Sequence, residues 1–260
     1  MGAKSFDSHE SGIITRSSDE SLHARIELFE MSKSYPATDT ERERSAGLFL
    51  RASLLARFLA VYEIYKRIVS LPGAVFDIGT WRGQTAVLLE NFRAILEPLN
   101  LDRRIFAFDT FLGYQGFTDQ DRATELHRNG TYSVGEDYPE LLSRILELHE
   151  KSNALGHYRG KHLVVSGDIR ETLPELLDEH PELFVSLAFI DLNSVEPTEA
   201  VLETLWERII PNGVVAFWQL TQPKIPGDGM AYVKAVLKLR SHRIERSEIY
   251  PGLCFITKVC

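Results

Sequence analysis

The sequence predicts an α/β fold: a doubly wound, mostly parallel seven-stranded sheet with an antiparallel C-terminal strand and an N-terminal helical extension. Three observations predict it. From Ala74 onward, short apolar runs alternate with segments of helical periodicity. Five of those runs are almost continuously apolar, as strands buried on both faces are. Two further runs, His242–Ile249 and Leu253–Val259, follow the last helix and meet at Pro251-Gly252, which reads as a closing strand pair.

Taken in order, residues 1–40 are polar and rich in Ser, Asp and Glu, which predicts a flexible N-terminal arm. Residues 41–73 form a helical cap. Within it Leu50, Leu54, Phe58, Val61 and Ile64 recur at helical spacing between Gly47 and Leu71, and Pro72-Gly73 ends the run. The main domain is 74–260. Its parallel strands are predicted at Ala74–Ile78, Ile105–Phe108, Leu163–Val165, Val185–Ile190 and Val214–Phe217. Helices are predicted at Gln84–Leu96, Tyr138–Leu155, Ile169–Glu179, Glu199–Ile210 and Gly229–Leu239. The glycine-bearing polar stretch around 110–136 reads as an active-site insertion.

Bulk properties narrow the partners. The chain of 260 residues carries a formal net charge of −8. That balance argues against a nucleic-acid backbone as the main partner. Two cysteines, Cys254 and Cys260, give no disulfide framework and no metal-ligand spacing. The early apolar stretch Leu48–Val69 carries Arg51, Arg57, Glu63, Lys66 and Arg67, which argues against a membrane span. A cytoplasmic protein with a small-molecule substrate is expected.

In a sheet of this type ligands bind beyond the carboxyl ends of the strands, where the strand order switches. Asp77, Asp109, Gly167-Asp168, Asp191 and Trp218-Gln219 each end or follow a predicted strand, so they are expected to face one crevice. The segment Asp77-Ile-Gly-Thr-Trp-Arg-Gly83 joins a carboxylate, a glycine-bearing turn and a helix start. It lacks the middle glycine of the dinucleotide fingerprint, which disfavours a pyrophosphate-bearing cofactor. A nucleoside ligand without pyrophosphate fits better. Asp77 can accept from an amino group, and Asp109 has oxygens for two ribose hydroxyls. Asp168 can accept from an adenine amino group or cap the helix that starts at Ile169.

These segments resemble a known family. Asp77–Gly83 followed by Thr85 is similar to the first motif of the macrocin O-methyltransferase family, and Phe106-Ala-Phe-Asp-Thr-Phe-Leu-Gly113 to the second. Gly167-Asp-Ile-Arg-Glu-Thr-Leu-Pro174, Phe189-Ile-Asp-Leu-Asn193 and Pro211-Asn-Gly-Val-Val215 resemble later ones. The likeness implies a class I, Rossmann-like methyltransferase domain, S-adenosylmethionine as cofactor, and a homo-oligomer. It places Asp77, Gly79, Thr80, Trp81, Gly83 and Thr85 on the methionine side. Asp109, Thr110 and Phe111 would serve the ribose and adenine edge, and Gly167, Asp168 and Ile169 would close on adenine.

One departure matters. Macrocin-type members hold magnesium with an aspartate of the fourth motif and two aspartates after the fifth strand. Here Asp191 remains, but Asn193 and Trp218-Gln219 stand in the other places. Magnesium requires hard oxygen ligands, so loss of the metal is expected. Asp191 is then the candidate general base, with His127 as the alternative. Gln219 and Tyr132 are candidate acceptor contacts, and Glu125 and Asp137 share the insertion with Tyr132. Trp218 reads equally as an acceptor wall or a core aromatic. The expected function is metal-independent O-methylation of a small polar acceptor, sugar-containing or another biosynthetic intermediate. N- or carboxyl-methylation, or a non-catalytic binding protein on the same fold, are the alternatives.

Overall fold

The computed structural model describes residues 18–121, 127–153 and 160–259. Glu125, the first part of the arm and Cys260 therefore lie outside the described residues. The chain divides into two compact units, residues 1–56 and 57–260.

The first unit is helical. Helix α1 spans Asp19–Ser34, within the segment read as an arm. Ser18 caps it by accepting from the Ser21 amide, and none of its residues is buried. A helix without an apolar stripe leaves no period to read in the sequence. Helix α2 (Asp39–Arg44) opens with a capping box between Thr38 and Glu41. Helix α3 (Ala52–Lys66), which belongs to the second unit from Arg57 onward, is shorter than the predicted Gly47–Leu71, because Ala46–Phe49 forms a separate 3₁₀ turn.

The second unit contains the sheet. Strands β1 (Ala74–Ile78), β2 (Ile105–Asp109), β3 (His162–Ser166), β4 (Val185–Ile190), β5 (Ile209–Phe217), β6 (His242–Arg246) and β7 (Cys254–Lys258) lie in the order β3-β2-β1-β4-β5-β7-β6. The first five are parallel, and β7 runs antiparallel between β5 and β6. This is the predicted seven-stranded topology. The switch in order falls between β1 and β4.

Side chains alternate across the sheet. Phe76, Ile78, Phe106 and Phe108 pack on one face with helices α6 (Ile169–Glu179), α7 (Val195–Trp206) and α8 (Gly227–Tyr232). Val75, Ile105, Leu187 and Phe189 pack on the other face with Ala60, Val61 and Ile64 of α3 and Leu89 of α4 (Gln84–Leu96). Helix α5 (Tyr138–Asn153) covers β2 and β3 through Leu142 and Leu146. At the exposed edge strand β6, Arg243, Glu245 and Arg246 deter pairing with another chain.

Several boundaries move: β5 starts at Ile209 rather than Val214, so the helix before it ends at Trp206 rather than Ile210, and β6 ends at Arg246 rather than Ile249. Helix α7 begins at Val195 rather than Glu199, with Pro197 in its first turn, where a missing N–H costs nothing. The predicted Gly229–Leu239 helix becomes α8 followed by a π-helical turn, Val233–Leu237.

A buried cation ties the second unit together. Arg103 is 1% exposed. Its guanidinium donates to Glu97, to the carbonyls of Ile68, Leu71 and Gly73, and to the Ser186 hydroxyl. Tyr65 donates to the same Glu97 carboxylate at 2.5 Å. The charges are paired and the donors used, which is the condition for burying them. No helix among the described residues is long and apolar enough to cross a membrane.

Candidate functional site

The predicted site residues gather at the carboxyl ends of β1, β2 and β4, where the strand order switches and a ligand crevice is expected. The loop after β1 is shaped by close approach. Gly79 has φ +81°, and a Cβ there would stand 2.6 Å from the Asp191 carbonyl oxygen. Gly83 has φ +78°, and its Cβ would meet Leu142 at 2.1 Å. These two glycines press the loop onto the β4 terminus and under α5. Thr85 lies buried in the first turn of α4.

Two carboxylates organise the loop. Asp77 is 3% exposed and accepts from Thr80 Oγ1 at 2.5 Å. Burial first, then the nearby Asp191 and Asp109, push its carboxyl up to about 7 against the Thr80 bond. Asp109 accepts from the Trp81 and Phe111 backbone amides, each at 2.7 Å. Burial raises its carboxyl while those amides oppose the rise. Trp81 and Phe111 have φ of 50° and 58°, so Asp109 holds two strained turns in place. Each Asp109 oxygen keeps acceptor capacity beyond its amide bond. The arrangement therefore fits a ligand with a vicinal diol at Asp109 and an ammonium group at Asp77.

Several of the expected contact residues have side chains already engaged within the fold. The Phe111 side chain is 1% exposed, packed with Leu142 and Leu146, so only its backbone reaches the loop. Thr110 spends its hydroxyl on the Gly113 carbonyl at 2.8 Å. Ile169 lies in the main core. Gly167, with φ +141°, donates its amide to the Asp109 carbonyl and leads into α6. Asp168 is the α6 cap and is also paired with Arg170 at 2.5 Å. Arg170 holds its carboxyl below the ordinary range.

Across the crevice stands Asp191. Its Oδ1 accepts from Asn193 Nδ2 at 3.0 Å, and its Oδ2 lies 3.6 Å from an Arg57 nitrogen. Burial is the main cause raising its carboxyl above the usual value, with Arg57 opposing. The same Asn193 nitrogen donates to the Tyr114 hydroxyl at 2.9 Å. Tyr114 opens an aromatic wall: its ring lies 5.3 Å from Tyr132, 4.9 Å from Phe117 and 6.1 Å from His127. Tyr132 in turn meets Trp81, edge to face, at 5.6 Å. Trp81 is 41% exposed. His127 is buried, which lowers its pKa and favours the neutral ring.

Trp218 lies in the core, the second of its two readings. It is 1% exposed, stacked on Phe189 at 5.8 Å and abutted by Tyr250 at 5.6 Å. It forms no acceptor wall, because Arg57 covers its ring. Gln219 is half-buried, and its carbonyl accepts from the Gln222 amide. This donor set does not fit magnesium. It offers one carboxylate already bonded to an amide and close to a guanidinium, a buried Asn193 amide oxygen, and an indole beside them. Among the described residues no group of three or more His, Cys, Asp or Glu could hold a metal ion.

Sequence reasoning missed Tyr114, Arg57 and Asp228 as site residues. Asp228 is fully buried in α8, where its Oδ1 accepts from the Asn193 amide at 3.0 Å and Thr198 Oγ1 at 2.8 Å. It thereby holds Asn193 at φ 58°. The only available signal was its setting between Gly227 and Gly229. A Cβ on Gly227 would lie 2.3 Å from the Asn193 carbonyl oxygen.

Asp228 Oδ2 has no partner, and burial pushes this carboxyl up to about 7. The folded value lies above the unfolded one, near 3.9. The folded state therefore retains this proton over a range where the unfolded state has lost it, and this group makes stability fall as pH rises from about 4 to about 7. Asp228→Asn keeps the Oδ1 acceptor and removes the ionisation. Its melting temperature is expected to exceed the parent's by several degrees at about pH 8.5, and to match it near pH 4. A melting temperature equal or lower at the higher pH would contradict the assignment.

Residues 76–217 match the model of a methyltransferase domain family. Among solved structures, CalS11, a calicheamicin methyltransferase, is 31% identical over 94% of each chain with a TM-score of 0.88. The apo structure of CalS11, described as a TDP-rhamnose 3'-O-methyltransferase of calicheamicin biosynthesis, is 29% identical over 94% of this chain and 96% of that one, with a TM-score of 0.81. The O-methyltransferase NovP, 17% identical over 79% of this chain and 80% of its own, shares the fold with a TM-score of 0.59. No curated protein sequence matches the chain.

Proposed function

The chain belongs to the methyltransferase domain family, as a class I S-adenosylmethionine-dependent enzyme, and we propose that it methylates a hydroxyl of a sugar, with a nucleotide-linked sugar as the leading acceptor. The observation that carries this reading is the likeness to a TDP-rhamnose 3'-O-methyltransferase over nearly the whole chain. The crevice supports it: a carboxylate at the β4 terminus faces a wall of tyrosines suited to a sugar ring and its hydroxyls.

Bound S-adenosylmethionine supplies a methyl group on a sulfonium sulfur. Asp109 takes the ribose hydroxyls and Asp77 the ammonium group. Thr80, Trp81 and Thr85, with Gly79 and Gly83, shape the methionine side. Gly167 and Asp168 border the adenine, Asp168 with the lone pairs that Arg170 leaves. Trp81, Tyr132 and Tyr114 would hold the acceptor, and Asp191 would take the proton of the acceptor hydroxyl that receives the methyl group. His127 is the alternative base, since burial keeps its ring neutral. We read the reaction as metal-independent and the acceptor as a small molecule rather than a nucleic acid. A homo-oligomer, a cytoplasmic location, and a 74–260 catalytic domain with its insertion at 110–136 complete the reading. By motif the chain resembles macrocin-type members.

Incubation with TDP-rhamnose and methyl-labelled S-adenosylmethionine tests it. The expected product is one added methyl ether, undiminished by EDTA. Transfer only to amine or carboxyl acceptors would overturn the O-methylation reading, and activity restored only by Mg²⁺ would overturn metal independence.

A pH dependence follows from Asp77. An ammonium ligand requires the ionised carboxyl, and this one titrates at about 7 when free. Affinity for S-adenosylhomocysteine is expected to rise between about pH 6 and 7.5, with proton release on binding. Calorimetry in buffers of different ionisation enthalpy measures that release. A pH-independent affinity would remove Asp77 from the ammonium site.

A further inference from the structure

Asp191 sits beside a cation supplied by the chain itself. The Arg57 guanidinium carbon lies 4.0 Å from the centre of the Trp218 ring, and one of its nitrogens lies 3.6 Å from Asp191 Oδ2. Trp218 cannot turn away, because Phe189 stacks behind it and Tyr250 abuts its edge. A planar guanidinium on an indole face is a favourable and well-oriented contact. The indole is therefore a fixed seat, and the seat aims the charge at the carboxylate. On the other side, Asn193 holds Oδ1.

We propose that Arg57, seated on Trp218, is the resident cation of the transfer site, holding the charge-compensating position beside Asp191 in place of a divalent ion. It is a positioning residue: it orients the carboxylate without touching the acceptor. The inference rests on Asp191 being the transfer base. A guanidinium keeps its charge at all working pH values and cannot be chelated away.

The test uses the full-length protein with Arg57→Ala, Arg57→Lys and Trp218→Phe. With TDP-rhamnose as acceptor, Arg57→Ala is expected to lower kcat about 100-fold, the scale of losing one preorganised electrostatic group. KM for S-adenosylmethionine should stay within about threefold. Guanidinium chloride below denaturing concentrations should restore part of the loss, which a purely structural defect would not allow. Arg57→Lys should recover only part, for lack of a planar stack. Two measurements need no acceptor. Mn²⁺ titration followed by electron paramagnetic resonance should show no stoichiometric site in the parent loaded with S-adenosylhomocysteine. Tryptophan emission should change on Arg57→Ala, but not when Trp218 is already Phe. Stoichiometric Mn²⁺ binding, an emission change that persists without Trp218, or an Arg57→Ala kcat within about twofold of the parent would each overturn the inference. If the parent turns over no sugar nucleotide, the acceptor reading fails, and the Mn²⁺ and emission measurements still decide the position of the cation.

Discussion

Asp109→Ala is expected to weaken S-adenosylhomocysteine binding at least ~100-fold, with an unchanged circular dichroism spectrum. Two charge-assisted hydrogen bonds to ribose hydroxyls are worth about 1.5–3 kcal/mol each, and ~2.8 kcal/mol is already a hundredfold. The substitution also releases the Trp81 and Phe111 amides, which Asp109 holds at 2.7 Å. Both of those residues have positive φ, so the loop loses the bonds that stabilise its strained turns. Asp109→Asn separates the two losses. It keeps one acceptor oxygen and turns the other into a donor, so its affinity should fall between parent and alanine. Isothermal calorimetry measures all three. An Asp109→Ala affinity within about threefold of the parent would mean that the ribose lies elsewhere.

The second large effect is chemical. Asp191→Asn should lower kcat by ~10²–10⁴, the range for a lost general base. Cofactor affinity should change far less than kcat, because Asp191 touches the cofactor loop through its backbone and acts on Asp77 through its charge alone. The asparagine retains the shape and can still face Asn193 and Arg57. His127→Ala is the comparison. If it costs more than Asp191→Asn, the proton leaves through the insertion and not through the β4 terminus. Single-turnover rates with TDP-rhamnose would separate either loss from slow product release.

The sheet was legible in the sequence because its physics is local. Strands such as Ala74–Ile78 and Val185–Ile190 are apolar at nearly every position, and the turns that follow carry the polar residues of the crevice. Asp77, Asp109 and Asp191 were legible for the same reason: each ends a strand whose identity was clear. The partners of Asp191 were not. Arg57 sits on a helix far earlier in the chain, and Asp228 in a short glycine-flanked segment that could be a turn. Their meaning depends on which loop folds against which, and no periodicity records that. Trp218 shows the same limit. Its type suited a core and a pocket wall equally, and only the stack of Phe189 beneath it and Arg57 above it decides. Helix α1 was missed for the opposite reason, since it has caps and ion pairs such as Lys33–Glu30 but no apolar face.

Arg103 bears on how the chain assembles as it leaves the ribosome. Its carbonyl acceptors at Ile68, Leu71 and Gly73, and its partner Glu97, all precede it in synthesis. Only Ser186 emerges later, after a further 83 residues. The segment from α3 through β2 can therefore close around its cation before β4 exists, with one hydroxyl left to arrive. Domains build from their N-terminal side during translation, and this half carries Asp77 and Asp109. The nascent chain can thus shape the loop proposed to bind the nucleoside early, while the proposed acceptor side waits for β4 and α8 to bring Asp191 and Asp228.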